Sequence, residues 1–136
     1  MKQLYEINGN DFSTLEEFFA LICRILFTET NYSGKTNLDA LNDMFRGGFG
    51  TPENGFILRW VNSKLSRQRL GYSETVKQLE KRLTECHPRN VNHFTEQLDQ
   101  ARRQLGPTVF DWLIDIIEIH CPGGEEEEDG VELILD

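Results

Sequence analysis

The chain has 136 residues, 38% of them hydrophobic and 27% charged, with a formal net charge of −9. That is the length of one domain, able to bury a core without disulfide or metal staples, and too apolar and periodic for a disordered chain. No apolar run approaches the roughly 18 residues needed to span a bilayer, and Met1 to Ile7 lacks the apolar stretch of a signal peptide.

Residues Gln3 to Ile7 alternate Tyr5 and Ile7 with Leu4 and Glu6, predicting a short strand that ends at the turn pair Asn8-Gly9. Ser13 stands three residues before Glu16, the spacing of a capping box. Leu15, Phe18, Phe19, Ile22, Ile25 and Leu26 then recur at helical spacing, predicting a helix that ends near Thr28. A second helix is expected from Asn37 to Arg46, with Leu38, Leu41 and Phe45 inward and Asp39, Asn42, Asp43 and Arg46 outward. Gly47-Gly48 stops it. Phe56 to Trp60 reads as an interior strand.

Three helical patterns follow. Ser73 to Cys86, with Ser73 as its cap, repeats Val76, Leu79 and Leu83; Asn92 to Leu105 repeats Phe94, Leu98, Ala101 and Leu105. The third starts at Pro107, the place in a helix that proline tolerates best, and buries Phe110, Leu113, Ile114 and Ile117. Pro122-Gly123-Gly124 breaks the chain, Glu125 to Asp129 reads as a solvated acidic loop, and Val131 to Leu135 as a last strand. Strands separated by helices favour an α/β fold with a parallel sheet and right-handed crossovers.

The charge is unevenly spread. Arg59 to Arg103 holds ten basic residues against five acidic ones, so the ends of the chain carry the negative balance. An acidic field repels nucleic acid and acidic membranes and attracts a basic partner. Cys23, Cys86 and Cys121 are an odd, sparse set, the usage of free thiols in a reducing, cytoplasmic compartment. The sequon Asn31-Tyr32-Ser33 then carries no meaning.

Candidate chemistry is thin. Ser33-Gly34-Lys35-Thr36 ends like a phosphate-binding loop, but Glu29 stands where the first glycine is required. Cys86-His87, His93 and His120-Cys121 have no zinc-motif spacing, and read as buried thiols and surface imidazoles. No metal or other cofactor is expected. Asp39 and Asp43, at i and i+4, put two carboxylates on one helix face, where their repulsion costs helix stability. Such a pair can ligate magnesium, act as acid and base, or imitate phosphate charge for a basic partner. Arg46, three residues on, offsets the repulsion.

The run Asn31-Tyr32-Ser33-Gly34-Lys35-Thr36-Asn37-Leu38-Asp39-Ala40-Leu41-Asn42-Asp43 resembles the signature of the barstar family, small acidic inhibitors of secreted ribonucleases. Ile7-Asn8-Gly9, the strand Ile57-Leu58-Arg59-Trp60, the last helix and Val131 to Leu135 extend the resemblance over most of the chain. The loop before Asn37 is one residue longer than usual, and Asn42 stands where an aromatic residue is common. The segment 68–106 exceeds the family minimum. The resemblance implies one domain over 1–136, a three-stranded parallel sheet packed with helices, with a helical insertion at 68–106.

It also implies an inhibitor, not an enzyme, that seats 31–49 in the active site of a basic ribonuclease. The implied contact set is Tyr32, Asp39, Asn42, Asp43, Arg46 and Phe49, with Asp43 in the enzyme's phosphate pocket and Asp115 or Glu118 adding an acidic contact. An alternative on the same fold is an immunity protein against another polymorphic or contact-delivered toxin; another is a descendant that kept the fold only. From a different class, a metal-dependent hydrolase would use Asp39 and Asp43, but the sequence shows no third ligand or general base nearby. The insertion, rich in basic residues, is expected to pack away from Asp39 and Asp43 through Leu79, Leu83, Phe94 and Leu98, or to steady the acidic 125–129 loop.

Overall fold

The computed structural model describes residues 2–29 and 37–136. In chain order these form β1 (Leu4–Asn8), α1 (Leu15–Ile25), α2 (Leu38–Arg46), β2 (Phe56–Val61), α3 (Ser63–Arg69), α4 (Tyr72–Glu85), α5 (Val91–Arg102), α6 (Val109–Ile119) and β3 (Val131–Leu135), with short 3-10 turns at Gly9–Asp11, Pro88–Asn90 and Glu127–Asp129. The strands make one parallel sheet in the order β1-β2-β3, with Ile7 opposite Trp60 and Leu58 opposite Leu133. This is the α/β fold expected from the element order.

The pleat sorts the strand residues. Ile7, Phe56, Leu58, Trp60 and Val131 point into the core, while Leu4, Glu6, Arg59, Glu132 and Ile134 remain exposed on the opposite face. Trp60 lies among the rings of Phe12, Phe18 and Phe110, with centroids 5.2–5.9 Å away, and its indole N–H donates to the buried Ser66 hydroxyl at 2.9 Å. A smaller core of Leu79, Leu98 and Ala101 joins α4 to α5, with Val76, Leu83 and Phe94 at its border. Trp112 of α6 packs against both cores.

Several boundaries differ from expectation for local reasons. The cap of α1 is Thr14, one residue later than the Ser13-Glu16 spacing suggests: Thr14 Oγ1 accepts the Glu17 N–H, and Glu17 accepts the N–H and hydroxyl of Ser13. Helix α1 ends at Ile25 and α5 at Arg102, before the positive φ of Gln104. Ser73 lies inside the first turn of α4, whose N-cap is Gly71. Pro107 precedes α6, which Thr108 and Asp111 open with a reciprocal capping box.

Helix α3 has no counterpart in the sequence reading, because tertiary hydrogen bonds hold it where an apolar stripe is lacking. Ser63 bonds the Asp136 carbonyl, Ser66 receives Trp60, and Arg69 reaches the carbonyls of Gly9, Asn10 and Phe12. The entry to α3 also explains Gly9, since a Cβ there would meet the Asn62 carbonyl oxygen at 2.4 Å. All three cysteines are unpaired; Cys23 is buried and Cys86 and Cys121 are half-buried. No helix among the described residues is long and apolar enough to cross a membrane.

Candidate functional site

Helix α2 is built to present one face. The Asn37 side chain caps it, accepting the N–H groups of Asp39 (2.9 Å) and Ala40 (3.1 Å). Leu41, Met44 and Phe45 are buried beneath it, and Phe45 stacks on Phe56 and meets Phe27 edge-on. Leu38 is only half-buried, so Met44 takes the inward place expected of it. Asp39, Asp43 and Arg46 stand exposed on the outward face.

These outward residues are not equivalent. The Arg46 guanidinium bonds Asp43 through Nη1 and both Glu126 oxygens through Nε, at 2.7 and 2.8 Å. Hydrogen bonding and charge from Glu126, then the charges of Asp43 and Asp129, push the Arg46 pKa above its ordinary value. Among the described residues Asp39 has no such tether. It lines a cavity of about 350 Å³ with Asn37, Leu38, Arg82 and Phe94.

Asn42 faces inward. It hydrogen-bonds Nε2 of His120 at 2.7 Å, while Nδ1 of the same ring bonds Asp129 at 2.6 Å. His120 is fully buried, its ring stacked on Phe45, and its carbonyl accepts the Val131 N–H. With its Nδ1 proton turned to Asp129, the ring either donates to the Asn42 carbonyl as imidazolium or accepts from the Asn42 amide as neutral imidazole. In either form it fastens α2 to the end of α6, the 127–129 turn and the start of β3.

Besides Asn42, expected on the outward face but turned to His120, four more expectations change here. His120 is not a surface imidazole, since the aromatic Phe45 and two polar partners offset its burial. The 125–129 segment is not merely a solvated loop, because Glu126 and Asp129 hold Arg46 and His120. The cation that steadies it is Arg46 of α2, not the basic middle segment. Finally, α4 and α5 do not keep clear of Asp39: they use Leu79, Leu83, Phe94 and Leu98 for packing, as expected, but this brings Arg82 and Phe94 to the rim beside it.

Phe49 is 38% exposed beyond Gly47 and Gly48, both at positive φ, and its carbonyl accepts the Glu29 N–H at 3.1 Å. Asp115 and Glu118 line a cavity of about 870 Å³ along β3, with Glu132, Leu133 and Leu135. Tyr32 and the rest of 30–36, including the Gly34-Lys35-Thr36 run, lie outside the described residues. Donor atoms of His120, Glu126 and Asp129 lie within 4.8 Å of one another, a metal-capable set, but Arg46 already holds both Glu126 oxygens.

His120, Glu126, Asp129 and Arg82 are the participants that sequence reasoning misses. A histidine at a helix end followed by acidic residues is a faint signal, and it does not reveal that Asn42 is the second partner.

The chain matches the family model described as Barstar (barnase inhibitor) over residues 2–92. No curated protein and no solved structure gives a match. With the family match spanning most of the chain, and with the three-stranded parallel sheet and exposed acidic α2 in place, the chain belongs to the barstar family.

Proposed function

We propose that this protein inhibits a basic ribonuclease by inserting the exposed face of α2 into the enzyme's active site. The observation that carries this reading is the pair Asp39 and Asp43, exposed on a helix whose other side is locked into the core. Their positions match the family's target-contacting aspartates. Asp43 would accept the arginine and histidine donors that ordinarily hold a scissile phosphate, through charge-assisted hydrogen bonds. Phe49, Arg46 and Tyr32 complete the contact set, and α4–α5 is read as a helical addition to a single barstar-like domain. Three unpaired thiols and the lack of a spanning helix among the described residues fit a cytoplasmic protein.

A second reading keeps the fold and changes the target to another toxin. It is favoured by Asn42, which stands at a position often aromatic in the family and turns toward His120 rather than outward.

Titration of barnase activity with the purified chain tests the first reading. One-to-one inhibition is expected, and Asp43→Ala should weaken the complex by about 3 kcal/mol or more, because it strands buried enzyme cations. Full barnase activity at saturating inhibitor, with no complex by calorimetry, would overturn it.

A further inference from the structure

The cavity at the N-terminal end of α2 brings together elements far apart in the chain. Asn37, Leu38 and Asp39 of the α2 entry form one wall; Arg82 of α4 and Phe94 of α5 form the other, and the volume is about 350 Å³. The Arg82 guanidinium carbon sits 4.8 Å from the centre of the Trp112 ring and 5.8 Å from that of Phe94. Both are cation–π distances, so the aromatic rings fix the guanidinium in place.

Arg82 has given up solvent without gaining a hydrogen bond. Burial pushes its pKa below the ordinary value, and the nearby charge of Asp39 opposes that shift. Among the described residues no carboxylate or carbonyl accepts any of its N–H groups. Arg46, Arg59 and Arg69, by contrast, are hydrogen-bonded to Glu126, to Asp136 and to three backbone carbonyls, while Arg67 lies over Phe110 much as Arg82 lies over Trp112. A guanidinium held beside two aromatic rings, with no acceptor bonded among the described residues, has N–H donors to spare. Those donors match a planar carboxylate in a bidentate fork.

We propose that Arg82 is a specificity-determining residue, receiving a carboxylate side chain of the target protein in the cavity beside Asp39. This deepens the inhibitor reading given above and rests on it. Asp39 and Arg82 together present a negative and a positive group side by side. They select a target whose rim carries a carboxylate next to the cation that meets Asp39, and they reject one with two cations there. The basic middle of the chain thereby has a contact on an otherwise acidic binding surface.

Barnase is the probe, and binding is followed by surface-plasmon kinetics for wild type, Arg82→Gln, Arg82→Lys, Arg82→Met and Asp43→Ala. The expected result is about a tenfold or greater loss of affinity for Arg82→Gln and Arg82→Met, mostly in the dissociation rate, with a smaller loss for Arg82→Lys. Arg82→Met retains the aliphatic stem against the rings. Affinity lost in that variant with its urea midpoint unchanged assigns the effect to the lost donors, not to packing. Replacing one rim carboxylate of barnase by its amide should then abolish the Arg82 effect in a double-mutant cycle. Wild-type affinity for both Arg82→Gln and Arg82→Met, alongside a large loss for Asp43→Ala, overturns this proposal and leaves the inhibitor reading standing. A wild-type chain that does not bind barnase overturns both, whereas an Arg82 effect that appears only together with lost stability overturns this proposal alone.

Discussion

Glu74 is 4% exposed, and its carboxyl oxygen takes the Leu15 N–H of α1 at 2.8 Å and the Gln78 amide of its own helix at 2.9 Å. A helix start leaves N–H groups without intrahelical partners, so this side chain closes one that the core would otherwise strand. Its neighbour Thr75, fully buried, accepts the Val109 N–H at the start of α6. Two adjacent residues of α4 thus finish two different helices. Glu74→Ala should lower stability by about 2 kcal/mol, chiefly through the orphaned Leu15 N–H, and Glu74→Gln should lose less because an amide oxygen remains to accept it. Urea denaturation checks this, with the midpoint shifting and the slope unchanged. An Ala variant as stable as wild type would show that Leu15 finds another acceptor.

At the scale of elements, the entry to α1 couples stability to pH. The Ser13 N–H and hydroxyl, followed by Thr14, bond the Glu17 carboxylate and hold its pKa below the usual range. A carboxylate lowered on folding contributes stability that is present above its unfolded pKa and lost as pH falls through its folded one. The stability difference between wild type and Glu17→Gln should therefore be largest near about pH 7 and shrink below about pH 4. Equal differences at both values, by urea denaturation, would remove Glu17 from the acid response. The same element shows what the sequence can and cannot tell. Leu15, Phe18, Phe19 and Ile22 announce α1 by their spacing, because burial of one stripe is a local, periodic property. The choice between Ser13 and Thr14 as cap is decided by where Glu17 points, which spacing does not encode. Helix α3 escapes notice altogether, since Ser66 and Arg69 are held by Trp60 and the 9–12 turn, partners remote in sequence. At α2, the exposed pair Asp39 and Asp43 is legible from the i, i+4 rule, whereas His120 under Asn42 and Arg82 beside Asp39 arise only when α6 and α4 are packed in place.

Over the whole molecule, the net charge of −9 is a difference between unlike regions. Asp39, Asp43 and the 125–129 segment gather around α2, while Lys64, Lys77, Arg89 and Arg102 stand exposed on α3, α4, the 88–90 turn and α5. Arg67 and Arg69 belong to this basic group by charge but are poor probes of it, since one lies over Phe110 and the other binds the 9–12 turn. For a basic ribonuclease approaching α2, the acidic residues around that helix accelerate encounter and the basic residues of α3 to α5 oppose it, each screened beyond about 10 Å at 0.1 M salt. Association should slow steeply as ionic strength rises, with dissociation changing much less, because only the encounter samples the long-range field. Lys77→Glu combined with Arg89→Glu sharpens the test. Neither residue has an ion pair among the described contacts, so reversing both should speed association at low salt and leave the dissociation rate alone. Stopped-flow association that is flat with salt, or a doubly reversed chain that dissociates markedly faster, would show that the field of the whole molecule does not face the partner as α2 does.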